Sequence, residues 1–125
     1  MTATQTANET LQFISMAAMN NIAQAQASRE KALGRMTGYF FADSIENLIK
    51  AQACEIVWTE IDGYLHNSGT DEQLLADLER IARRYALNTH KINSSSNVAV
   101  EMETAIRLEW VEAYNLITTG SVFGR

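Results

Sequence analysis

The sequence predicts an all-α protein, either an up-down four-helix bundle or a pair of helical hairpins completed by self-association. Apolar residues recur at steps of three and four in four segments, and no segment shows the strict alternation of a strand. Proline is absent, whereas average usage of roughly 5% would supply about six. Because interior proline breaks helices, its absence suits long helices. The short links between segments favour antiparallel neighbours.

The first predicted helix runs from about Asn8 to Met36 and ends at Thr37-Gly38. Many residues of its inward stripe are small, which permits close helix approach. The stripe comprises Leu11, Ile14, Ala18, Ile22, Ala25, Arg29, Ala32 and Met36. Glu9 is the only Asp, Glu, Lys or Arg among the first 28 residues. Since a solvated helix normally carries charge on its outer face, we expect this helix to be covered by its own domain or by another copy.

The second predicted helix runs from about Tyr39 to His66, and a capping box of Asp43 with Glu46 would move its start to Ser44. Two apolar stripes lie on its opposite sides. One contains Phe41, Ile45, Ile49, Ala53, Ile56 and then Glu60, and the other contains Ala51, Cys54, Trp58, Ile61 and Leu65. A helix that is apolar on opposite faces should be buried on both. The pattern therefore predicts a central helix or a subunit interface.

The third and fourth helices have clearer boundaries. Thr70 and Gln73 form a capping box that starts the third helix, and its apolar face is Leu74, Leu75, Leu78, Ile81, Ala82 and Tyr85. The fourth helix runs from about Asn97 to Thr119, and its apolar face is Val98, Met102, Ala105, Ile106, Ala113, Leu116 and Ile117. The chain is predicted to be one helical domain over residues 1–125. Residues 1–7 and 121–125 are expected to be loose ends.

Three charged residues, Arg29, Glu60 and Glu109, interrupt the predicted core stripes. Removing a charge from water is costly unless the charge is paired or neutralised. The helix rise places Glu60 and Glu109 at a similar height, where they could share a proton or bind a ligand or metal. Ordinary hydrogen bonding, pairing with Arg or a position at the bundle edge is the commoner arrangement. Arg29 could pair with Glu46 or a partner chain, or lie in solvent.

The residues offer little for catalysis or metal binding. Carboxylate-bridged di-metal bundles use Glu-x-x-His pairs, and this sequence has none. Cys54 is the only cysteine, and its position on an apolar helix face predicts an inert buried thiol. The isolated glycines form no phosphate-binding loop. We therefore expect no catalytic residues, no metal and no cofactor, and the sequence favours a non-enzymatic protein.

A group of apolar side chains carries the leading functional hypothesis. Trp58, Ile61 and Leu65 of the second helix, together with Met16 and Met19 of the first, are predicted to form a protein interface, since Trp and Met are enriched in binding cores. The alternative is that these side chains close the core of the monomer. In the first interpretation, the protein is a homo-oligomeric adaptor or inhibitor of a larger complex. Its partner is then another protein, a second copy of itself, or both.

Two alternatives remain open at this point. The end of the third helix and the next loop concentrate basic residues that could contact an RNA or DNA backbone. That group is Arg80, Arg83, Arg84 and Lys91, with Lys31 and Arg35 of the first helix. The net charge of −5 disfavours general nucleic-acid binding. The weaker alternative is a ligand- or metal-binding bundle that uses Glu60 and Glu109. No signal peptide or membrane-spanning apolar run is recognisable, which predicts a cytoplasmic protein without membrane contact.

Overall fold

A computed structural model describes residues 6–35, 41–87 and 97–119 of the chain. Within these ranges it contains α-helices and no strand, which confirms the all-helical prediction. The helices are α1 (Ala7–Gly34), α2 (Phe41–Leu65), α3 (Asp71–Ala86) and α4 (Asn97–Thr119). The predicted helix stop at Thr37-Gly38, Lys91 and the polar segment 88–96 lie outside the described residues.

Reciprocal hydrogen bonds define the starts of α1 and α3. The backbone N–H of Glu9 donates to the Thr6 hydroxyl at 3.1 Å, and the Glu9 carboxylate accepts from the Thr6 N–H at 3.1 Å. This capping box makes Thr6 the N-cap of α1 and Ala7 its first residue. Residues 1–5 and 121–125 of the two predicted loose ends lie outside the described residues. The predicted box of Thr70 with Gln73 is confirmed at the start of α3. Both boxes satisfy N–H groups that a helix terminus otherwise leaves unpaired.

The described part of α2 begins at Phe41, so Asp43 lies in its first turn and the alternative start at Ser44 is wrong. The predicted start near Tyr39 lies outside the described residues. Ser44 is instead buried, and its hydroxyl donates to the Arg35 carbonyl oxygen at 2.9 Å. This bond satisfies a carbonyl at the end of α1 and holds the start of α2 against it.

The helices pack as two pairs that meet through α2 and α4. The main contacts are α1 with α2, α3 with α4, and α2 with α4. Ser44 contacts Arg35, whereas Cys54, farther along α2, contacts the earlier Asn21 of α1, so α1 and α2 run antiparallel. The neighbours α2 and α3 touch only lightly. The central position of α2 between α1 and α4 explains why that helix is apolar on two sides.

All four helices contribute to one core. Its largest members, each nearly or fully buried, are Ile14, Val57, Trp58, Ile61, Leu78 and Trp110. Burial of each large apolar side chain stabilises the fold by about 1.5–3 kcal/mol. The predicted face of α4 omitted Trp110, whose ring stacks on Tyr85 with 5.0 Å between the ring centroids. Among the described helices, none combines the length and apolar character needed to cross a bilayer.

Candidate functional site

Trp58 belongs to the core of the monomer. Its side chain is 2% exposed, and its indole N–H donates to Oε1 of Glu109 on α4 at 3.1 Å. Ile61 is fully buried in the same core, and Leu65 is half-buried against it. The expectation that Trp58 and Ile61 face a partner is therefore wrong. The contact between α2 and α4 already occupies that side of α2.

Met16 and Met19, which the sequence grouped with Trp58, lie on the opposite side of α1 from the core. Their exposed fractions are 64% and 66%, and Ala23 and Ala27 are exposed on the same face. We call this surface, defined by Met16, Met19, Ala23 and Ala27, the outer face of α1. It lies within a stretch of 19 residues that has no charged side chain, which extends about 28 Å along the helix axis. A helix side of this length that faces solvent without charge is unusual.

Glu109 and Cys54 form a half-buried polar cluster with Trp58 where α2 meets α4. Burial, followed by the charge of Glu112, raises the pKa of Glu109, while the hydrogen bond from Trp58 acts in the opposite direction. Burial and then the charge of Glu109 raise the pKa of Cys54 to about 12. The Cys54 thiol also donates to the Asn21 carbonyl oxygen at 3.6 Å. The cluster therefore keeps Cys54 protonated, which is unsuited to nucleophilic chemistry.

Glu60 does not join that cluster. It is exposed, as is Ile56 at 42% on the same stripe of α2. The interpretation of Glu60 as an interior carboxylate is wrong, because the second half of this stripe turns toward solvent. A ligand or metal site built on Glu60 and Glu109 thereby loses one of its two carboxylates. Within the described residues, no three His, Cys, Asp or Glu side chains are grouped as metal ligands would be.

Arg29 has a partner that the sequence analysis missed. It forms a half-buried ion pair with Glu55 of α2, and the Gln26 amide donates to the same carboxylate at 3.2 Å. The suggested partner Glu46 instead pairs with Lys50 at 3.2 Å. The antiparallel register of α1 and α2 decides this choice, because it brings the middle of α2, rather than its start, level with Arg29.

The basic residues fall into two groups. Arg80, Arg83 and Arg84 are exposed on α3, and Arg80 pairs with Asp77 at 3.2 Å. Lys31 and Arg35 instead line a groove between α1 and α2 that also contains Lys50 of α2.

The level of each group along its helix explains this separation. Asn8 of α1 hydrogen-bonds to Asp71, the first residue of α3. Lys31 lies 23 residues beyond that point on α1, or about 35 Å. Arg84 lies only 13 residues beyond it on α3, or about 20 Å. Among the described residues of the predicted basic group, those of α1 and those of α3 therefore do not lie at a single end.

Comparisons with protein-family models, with curated proteins and with solved structures found no match to this chain. The functional interpretation rests on the geometry of its own residues. Two surfaces stand out in the described structure, namely the uncharged outer face of α1 and the basic groove between α1 and α2.

Proposed function

We propose that this chain is a non-enzymatic helical interaction module that associates with a second copy through the outer face of α1. In this role it serves as a homo-oligomeric adaptor or inhibitor of a larger complex in the cytoplasm. The observation that carries the proposal is the exposure of Met16 and Met19 on a helix side without charge. The fold of the single chain leaves that side uncovered, and a second copy would cover it. Methionine suits such a contact because its flexible thioether adapts to the opposing surface.

An antiparallel α1–α1 pair is the arrangement that this face favours. If the two-fold axis passes between residues 21 and 22, Met16 of one copy lies opposite Ala27 of the other, and Met19 lies within one residue of the level of Ala23. Each large side chain then meets a small one, as close helix packing requires. Such a contact is isologous, because the same patch is used by both copies, and it closes at a dimer.

Solution mass tests the proposal most directly. Light scattering over a concentration series is expected to give a dimer for the wild-type chain. The double variant Met16→Glu, Met19→Glu should be a monomer with unchanged helicity, because it places two carboxylates in the apolar contact of each copy. The matched control Val100→Glu, Leu108→Glu adds the same charge at exposed positions of α4 and should remain a dimer. A wild-type monomer at every concentration would refute self-association.

Cross-linking tests the orientation separately. Ala23 lies close to the proposed two-fold axis, so the two copies of an Ala23→Cys variant should form a disulfide under mild oxidation. Thr104→Cys, at an exposed position of α4, is the matched control and should remain uncross-linked. Dimerisation without an Ala23→Cys cross-link would refute the antiparallel register while leaving association intact.

Contact with an RNA or DNA backbone through Arg80, Arg83 and Arg84 is the alternative function. The exposure of the three guanidinium groups favours it, and the carboxylates Asp77 and Glu79 on the same helix oppose it. A salt-dependent affinity for RNA that is lost when the three arginines become glutamine would support this alternative. Salt-independent or absent binding would remove it.

A further inference from the structure

The groove between α1 and α2 has the composition of a site for a small anionic molecule. We propose that it binds a phosphate-bearing organic molecule. The groove has a volume of about 460 Å³, which lies within the roughly 300–1,000 Å³ of small-molecule sites. This inference is independent of the proposed dimer, because the residues of α1 that line the groove lie about a third of a turn away from its outer face.

Charge is the first observation that carries the proposal. Lys31 and Arg35 reach the groove from α1, and Lys50 reaches it from α2. Among the described residues that line the groove, none is acidic, although the whole chain has a net charge of −5. Lys50 pairs with Glu46, and both side chains of this pair are exposed. Such a pair is worth little, so Lys50 can exchange it for a ligand oxygen.

Hydrogen-bonding capacity is the second observation. Gln24 and Ser28 lie on the same side of α1 as the cations, and Asn47 faces them from α2. In the part of the chain that the structure describes, none of these three side chains makes a hydrogen bond to another residue. Together they offer two amide groups and a hydroxyl to a ligand. Neutral donors beside cations are the combination that holds phosphate oxygens.

The floor of the groove explains why the ligand is larger than a phosphate ion. Ala25, Ala32 and Ala51 are buried where the two helices approach, and they line the same hollow as the cations. These alanines are only 3%, 4% and 5% exposed, so they close the bottom of the groove rather than open a space beneath it. The volume above them is large enough for a ligand with an organic body whose phosphate groups meet Lys31, Arg35 and Lys50. Pockets for small molecules commonly combine an apolar wall with a few polar groups in this way.

Titration calorimetry on the full chain tests the proposal with pyrophosphate and ATP as probes. The wild type is expected to bind ATP saturably and more tightly than pyrophosphate. The triple variant Lys31→Gln, Arg35→Gln, Lys50→Gln should weaken ATP binding by about tenfold or more. The matched triple variant Arg80→Gln, Arg83→Gln, Arg84→Gln removes the same charge from α3 and should bind ATP as the wild type does. Absence of saturable ATP binding, or equal losses in both triple variants, would overturn the proposal.

A neutral variant tests the role of the hollow itself. Ser28 is exposed at the rim, and Ser28→Leu fills the groove without changing charge while favouring the helix. ATP binding should weaken about tenfold, with less effect on pyrophosphate. Unchanged ATP binding in Ser28→Leu would show that the organic body lies elsewhere and would overturn this assignment. Binding of a single-stranded oligonucleotide without binding of ATP would equally overturn it in favour of a macromolecular ligand.

Discussion

Trp58 of α2 donates its indole N–H to Oε1 of Glu109 on α4, with 3.1 Å between the two atoms. The donor is buried in the core, and the acceptor is half-buried at its edge. This bond crosses the contact that joins the two helical pairs. It also gives the carboxyl group of Glu109 a partner at a position where burial disfavours its charge.

The variant Trp58→Phe should destabilise the protein through this bond. It keeps an aromatic ring in the core but removes the indole N–H that donates to the half-buried carboxyl of Glu109, a loss that costs about 1–3 kcal/mol. Urea unfolding measures the change. Trp110→Phe is the matched control, since it removes a similar ring volume from the core without breaking a described side-chain hydrogen bond. An equal cost for the two variants would show that ring volume, rather than the bond to Glu109, determines the effect.

Glu109 should make the stability of the protein depend on pH. Its pKa in the folded state is raised above the ordinary value of 4.5 by burial and by Glu112. A raised pKa contributes stability that is fully present below the unfolded-state pKa and is lost as the pH rises through the folded-state pKa. Because of Glu109, the free energy of unfolding should therefore decrease as the pH rises from 4.5 toward neutrality.

Two variants test whether Glu109 causes that pH dependence. Glu109→Gln should abolish the contribution of this group to the pH dependence of unfolding. Glu112→Gln should reduce that contribution, because the substitution removes the like charge next to Glu109. Urea unfolding at a series of pH values measures both slopes. Glu60→Gln, at an exposed position of α2, is the control and should retain the wild-type slope. If Glu109→Gln also retained it, another group would be responsible.

The Arg29–Glu55 ion pair should contribute more than the pair of Lys50 with Glu46. The side chains of Arg29 and Glu55 are 31% and 21% exposed, against 67% and 61% for Lys50 and Glu46. A double-mutant cycle with Arg29→Ala and Glu55→Ala should give a coupling energy of about 1 kcal/mol, compared with about 0.3–0.5 kcal/mol for the exposed pair. Equal coupling in the two cycles would contradict the effect of burial.

Cys54 should react slowly with alkylating reagents in the folded protein. Its pKa is raised from 9.0 to about 12 by burial and by the charge of Glu109, which lowers the thiolate fraction about a thousandfold at neutral pH. The rate of modification by iodoacetamide should therefore rise sharply when the chain is unfolded in urea. Glu109→Gln should speed the reaction of the folded protein, because it removes one cause of the raised pKa. Similar rates in folded and unfolded chains would contradict this account.

Some features of the fold could be predicted because they depend on nearby residues. The capping box of Thr70 with Gln73 places the start of α3, and the period of apolar residues predicts α4 with its observed bounds. The alternative start of α2 at Ser44 was wrong, because Asp43 and Glu46 have the spacing of a capping box whether or not the helix has already begun. Trp110 was missed because Glu109 and Trp110 lie three and four residues after Ile106, and the helical period alone does not decide which of the two is buried. The exposure of Glu60 could not be predicted, because its stripe is buried only in the middle of α2, at Ile49 and Ala53, and is exposed at both ends.

By itself, the sequence determined that the protein is helical and that α1 carries no charge between Glu9 and Arg29. Only the tertiary structure decided which sides of the helices are buried. It placed Trp58 inside and Met16 outside, and it paired Arg29 with Glu55. The physical reason is that helix propensity, capping and periodicity act over a few residues. The rotation and register of each helix instead minimise the exposed apolar surface of all four helices together.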